Sequence, residues 1–64
     1  MKSESVLIPD NHTVTEFLRG KASQIFDDVS ANNKVVIVNK HSRPQTVVIS
    51  YERYKQLKEK GAEI

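Results

Sequence analysis

Apolar residues fall at Val14, Phe17, Leu18, Ala22, Ile25, Phe26 and Val29, in successive steps of three, one, four, three, one and three. That spacing draws one stripe along a helix and predicts one over residues 13–31. Thr13 and Glu16 stand three apart, the signature of a capping box at its start. Asn32 and Asn33 tolerate left-handed backbone and predict its end. The polar face carries Glu16, Arg19, Gly20, Ser23, Asp27 and Ser30. Gly20 breaks the local rule, since a mid-helix glycine costs about 1 kcal/mol relative to alanine. It reads either as tolerated or as a point where another backbone or a phosphate comes close.

Two β-branched runs follow, residues 35–38 and 45–49, each continuous rather than alternating. Continuous runs fit strands covered on both faces. The polar break at residues 39–44 reads as a hairpin loop. Ser50 reads as an N-cap, Tyr51, Tyr54 and Leu57 as the thin stripe of a second helix, and Gly61 as its stop. Upstream, Val6, Leu7 and Ile8 suggest a short strand ended by Pro9, residues 9–12 a turn, and residues 1–5 a loose polar end. The expected layout is a small α+β domain in the order β-α-β-β-α, an antiparallel sheet with a helix on one face. Phe17, Leu18, Ile25, Phe26 and Val29 are expected to pack on Val35, Ile37, Val47 and Ile49. Phe26→Ala is then expected to cost about 3–5 kcal/mol.

The chain has 64 residues, 38% of them apolar and 28% charged. A domain this short buries only about 60% of its unfolded surface and needs outside support. It has no cysteine, which removes disulfides and thiolate chemistry. His12 and His41 have no metal-ligand spacing. The remaining support is another chain, with a two-fold copy covering the second face of the sheet. No apolar run reaches the roughly 18–20 residues that span a membrane, and no signal peptide is evident, so the expected location is the cytoplasm.

The net charge of +2 is unevenly spread. Residues 1–32 hold three basic and five acidic side chains, net −2; residues 33–64 hold seven basic and three acidic, net +4. This permits nucleic-acid binding without requiring it. Enzyme chemistry finds little footing. Asp27 and Asp28 are neighbours on a helix and point about 100° apart, so they do not converge as an acid–base pair. Ser23 or Ser50 with His41 or His12 lacks a nucleophile elbow or oxyanion loop. Gly20 and Gly61 stand alone, so no phosphate loop is present. The expectation is a protein that is not an enzyme and needs no cofactor and no metal.

Three segments in order carry a resemblance. They are residues 14–29, VTEFLRGKASQIFDDV; residues 35–44, VVIVNKHSRP; and residues 45–54, QTVVISYERY. They resemble the first helix, the apolar-strand–basic–Asn-Gly-Arg-Pro segment and the Ala-Val-Leu-Val-Ser-x-Glu-x-Tyr segment of the Phd/YefM antitoxins, the DNA-binding partners in type II toxin–antitoxin operons. The likeness spans about two thirds of the chain. Ser42 stands at the family's usual glycine, and Lys21 and Ala22 replace its common Asn and Leu or Phe.

The resemblance implies a homodimer that binds palindromic operator DNA and represses its own operon. It also implies a cognate toxin, RelE/ParE-like or Doc-like, held by a C-terminal segment. Residues 1–61 would form the dimerisation and DNA-binding domain. Residues 51–64 would begin the toxin-binding segment, most of it absent. Position by position, Arg19 and Lys40 face DNA. Arg19 suits guanine O6 and N7, and Lys40 suits a phosphate. Arg19 could equally lie in a surface salt bridge near Glu16, and Lys40 on a solvated hairpin. Lys21, Thr15 and Arg43 are further DNA candidates, Thr15 at a helix N-terminus that suits phosphate. His41 reads as a hairpin-tip residue, with a DNA contact when protonated as the alternative. Tyr51, Tyr54 and Leu57 are the toxin-binding candidates. Two other readings stay open: an interaction or dimerisation module that barely touches DNA, and a stand-alone repressor without a toxin.

Overall fold

The computed structural model describes residues 8–64. The expected strand at Val6 and Leu7, and the loose end before it, lie outside the described residues, and Ile8 belongs to no strand. The chain runs β1 (Asp10–Thr13), α1 (Val14–Glu16), a wide-turned segment Phe17–Lys21, α2 (Ala22–Asn32), β2 (Val35–Lys40), β3 (Arg43–Ile49) and α3 (Tyr51–Glu59). It is a small α+β fold with one three-stranded sheet, ordered β1-β2-β3.

β1 occupies residues expected to form a turn, and it pairs with β2 in parallel, Asp10 opposite Val36 and Thr13 opposite Asn39. The sheet is therefore mixed rather than wholly antiparallel. Only four residues long, β1 holds none of the apolar runs that mark a strand. Its place rests on its partner and on side-chain ties. Asn39 donates to Asn11 at 3.0 Å, and Lys34 bridges Asp10 at 3.2 Å and Asp28 of α2 at 2.7 Å.

The helix begins where the capping box sets it. Glu16 N–H donates to Thr13 Oγ1 at 3.2 Å, and Thr13 N–H donates to Glu16 Oε1 at 3.1 Å. α2 ends with Asn33 in left-handed backbone, φ 51° and ψ 45°. α3 starts at Ser50, whose hydroxyl accepts from Arg53 N–H at 3.0 Å. It ends at Gly61, φ 96°, where Gly61 N–H reaches Lys58 and Ala62 N–H reaches Leu57, both at 3.0 Å. This pairing satisfies carbonyls that the last turn leaves free.

β2 and β3 run longer than expected and meet in a two-residue turn. His41 and Ser42 both take positive φ, 53° and 62°, as the tightest hairpins demand. Lys40 and Arg43 thus face each other across the pair, and Gln45 is left over between the Pro44 and Thr46 pairings as a bulge. Pro44 has no N–H for the ladder, which suits an edge strand beside a bulge.

The core is Ile25, Val29, Val36 and Val38, flanked by Val14, Phe17 and Val48. This corrects the expected packing. The helix covers the even-numbered face of β2, whereas Val35, Ile37, Val47 and Ile49 lie on the other face, where Val47 is 61% exposed. Leu18 is expelled at 81% exposure, and Phe26 is half exposed at 48%, its ring 5.6 Å from that of Phe17. In the single chain Phe26→Ala should therefore cost less than the full price of a buried aromatic, about 1–2 kcal/mol, and Val36→Ala about 2–3 kcal/mol. Denaturant melts at low protein concentration check this order; a larger loss for Phe26→Ala would overturn the packing described here.

The Asp28 carboxyl is held below its ordinary value by Lys34 first and then by the Asn32 amide. Lys34 is raised by Asp28 and Asp10. A lowered carboxylate stabilises the fold above its unfolded pKa, ordinarily about 3.9 for Asp, and that contribution is lost as pH falls through the lowered folded value. The raised lysine stabilises below its unfolded pKa and loses this as pH climbs through the raised value. The thermal midpoint should therefore drop below about pH 4, and Asp28→Asn should shrink that drop; solvent exposure keeps both effects small. Melts across pH 2–7 measure it.

Candidate nucleic-acid interface

Parallel pairing sets Thr13 beside Asn39, so the helix starts next to the hairpin tip. Between them lies a recess of about 350 Å³, with Thr13, Thr15, Leu18, Lys40, His41 and Ser42 in its wall. Lys40 and His41 also wall a second recess of about 380 Å³ on the other side of the tip, with Arg43, Pro44 and Gln45. No carboxylate lines either one. Hydroxyl and cationic groups from two segments distant in sequence thus meet at one end of the sheet. Such an array can hold oxyanions by charge and by hydrogen bonding.

Thr15 and Lys40 share the first recess, and Arg43 joins Lys40 at the second. Arg19 and Lys21 are exposed on the wide-turned segment beside Leu18, outside both walls. Glu16 turns away from Arg19: one oxygen accepts from Thr13 N–H and the other meets His12 Nδ1 at 2.8 Å. His12 first, then Thr13, hold the Glu16 carboxyl below its ordinary value, and Lys21 is near enough to add to the effect.

Gly20 explains the segment's shape. Its φ of 90° and ψ of 13° lie outside helical backbone, in a region that only glycine enters cheaply. Nothing stands within 4 Å of where a Cβ would sit. Within the chain the glycine therefore serves the backbone conformation, and no neighbouring element of the same chain closes on it. The break re-phases the helix and turns Leu18 out of the stripe and into the recess wall. Periodicity alone misses Leu18 here; the signal for it was the glycine two residues on.

Tyr51, Tyr54 and Leu57 lie at the opposite end of the sheet. Ile49 pairs with Val35, where β2 begins, and α3 follows directly. The Tyr51 and Tyr54 rings stack at 6.3 Å and 20°. Lys55 sits 5.6 Å from the first ring centroid and Lys58 5.9 Å from the second. Tyr54 donates its hydroxyl proton to the Ile64 carbonyl at 3.0 Å. Leu57 is partly exposed.

A third recess, about 240 Å³ and apolar, lies between the helix and β3, walled by Val14, Phe17, Phe26, Val38 and Val48. Among the described residues no group of three or more His, Asp or Glu is placed to hold a metal ion, and no helix is long and apolar enough to cross a membrane. No protein-family model, curated protein or solved structure matches the chain.

The hairpin tip gives a direct test of its geometry. Ser42 at φ 62° holds a conformation that costs a side chain about 1 kcal/mol and glycine little. Ser42→Gly should stabilise the protein by about 0.5–1 kcal/mol in denaturant melts. A loss of stability would show that the turn is not of this type.

Proposed function

We propose that the chain is a sequence-specific DNA-binding protein of the antitoxin–repressor kind, acting as a homodimer on a two-fold symmetric duplex site. The observation that carries this is the convergence of Thr15, Lys40, His41 and Ser42 in one carboxylate-free recess, with Arg43 across the tip. Lys40 and Arg43 contact phosphates and fix orientation, and the Thr15 hydroxyl adds a phosphate hydrogen bond. Lys21 supports the phosphate contacts from the kinked segment. Arg19 reaches out from the same segment to a guanine edge, where its two-pronged geometry discriminates bases. A second copy covers the apolar sheet face left open at Val47. At the other end, the stacked tyrosines and Leu57 of α3 offer a face for a toxin.

Three features favour a second reading, a protein-interaction module with little DNA affinity. The aromatic face of α3 and the open sheet face are both surfaces for proteins, and the net charge is only +2. A repressor without a toxin would share the DNA behaviour of the first reading.

Fluorescence anisotropy with a labelled duplex from just upstream of the coding sequence, against a shuffled duplex, separates these. The native duplex should bind more tightly, with log affinity falling against log salt by about 0.9 per phosphate neutralised. Arg19→Ala should erase the preference at a cost of about 1–3 kcal/mol. Equal binding to both duplexes, or none, sinks the repressor reading and leaves the interaction module.

A further inference from the structure

Leu18 is the most exposed large apolar side chain among the described residues, at 81%. Its position is set by the backbone and not by chance fraying. Gly20 leaves helical space, and Phe17–Lys21 closes in wide turns. Phe17 goes inward against Phe26, and Leu18 goes outward. There it meets Thr15 across one turn and Lys40, His41 and Ser42 across the recess. Arg19 follows it directly in the chain, and Lys21 lies just beyond.

The surface is thus an apolar tip ringed by cations and hydroxyls. Its charge selects the occupant. A second copy docked on this recess through a two-fold axis would bring Lys40 against its own equivalent, and like charges repel. A duplex offers what both parts of the surface lack: phosphates for the ring, and apolar base surface for the tip. In the major groove that apolar surface is the 5-methyl group of thymine.

We propose that Leu18 is a base-reading residue that packs on thymine methyl groups in the major groove, next to the guanine contact of Arg19. The inference rests on the DNA-binding reading above. It adds that part of the sequence preference is apolar and independent of salt. Phosphate contacts release counterions and steepen the salt dependence, whereas a methyl contact releases none.

The test uses the full chain and the upstream duplex in two forms, one with thymine and one with deoxyuridine in its place, which removes only the methyl groups. Wild type should prefer the thymine duplex by about fourfold for each methyl contacted. Leu18→Ala should bind both forms alike, with the salt slope unchanged, while Leu18→Met keeps the preference. Lys40→Ala should flatten the slope by about 0.9 and keep the preference. If wild type is indifferent to the methyl groups, or Leu18→Ala still prefers thymine, the inference fails and the DNA-binding reading stands. If wild type binds neither duplex, both fail. If Leu18→Ala keeps the thymine preference but changes self-association in sedimentation, a second copy covers Leu18 and the inference is overturned. Thermal melts of the variants guard against loss of fold, which the exposure of Leu18 makes unexpected.

Discussion

The parallel pairing of β1 with β2 arranges everything else. A parallel neighbour cannot be reached by a tight turn, so the chain must cross back over the sheet through a helix. That helix starts where β1 ends, and β1 ends beside Asn39, where β2 ends. The first helical turn and the β2–β3 turn are therefore forced to the same end of the sheet. The recess holding Thr15, Leu18, Lys40, His41 and Ser42 is a consequence of this topology. The return of α2 to the start of β2 and the exit of β3 into α3 fall at the other end by the same logic. Asn33, Ser50 and Arg53 gather there: Ser50 donates to Asn33 Oδ1 at 2.6 Å, and Arg53 Nη2 donates to the Asn33 carbonyl at 3.0 Å.

This frame holds little apolar mass. Among the described residues four apolar side chains are buried, and all come from α2 and β2. Polar ties do much of the remaining positioning: the Thr13–Glu16 box, the Lys34 bridge and the Asn33–Ser50 pair. Each such tie is worth little net in water. They choose one geometry among many more than they deepen the well. A chain so built gains much from any surface that covers Phe26 or Val47, which is the physical reason to expect a partner copy.

What could be read from the sequence follows from how local each signal is. The capping box, the Asn33 and Gly61 stops and the Ser50 cap rest on bonds within a few residues, and each stands in the structure where its residue types place it. The two β-branched runs are strands for the same reason. Parity is not local. Val35 to Val38 are alike in shape, so nothing within the run says that Val36 and Val38 face the helix while Val35 and Ile37 do not. β1 was illegible because Asp10, Asn11 and His12 carry no strand propensity and Thr13 reads as a helix cap; the ladder of β2 recruits them. Leu18 looked like core because a regular helix was expected through Gly20, and one positive φ undoes that expectation. Of the candidate site, Thr15, Lys40 and Arg43 were legible as residue types, but their meeting depends on β1 and could not be seen.

The link between the sheet and α3 is short. Between Ile49 of β3 and Tyr51 of α3 stands the single residue Ser50, 4% exposed. Its hydroxyl caps α3 and also binds Asn33. No residue of α3 belongs to the buried core, and that serine and the Arg53 bond to the same asparagine tie the helix to the body. A partner that grips the Tyr51–Tyr54 face therefore acts on the body through Asn33, which ends α2, and through β3, which leads to the hairpin tip. α2 in turn leads back to the Gly20 break and to Leu18. Under the proposed function, any influence of a bound partner on DNA affinity has only these two routes. One leads to Lys40 and Arg43 at the hairpin tip, and the other to Leu18 in the recess wall and to Arg19 beside it.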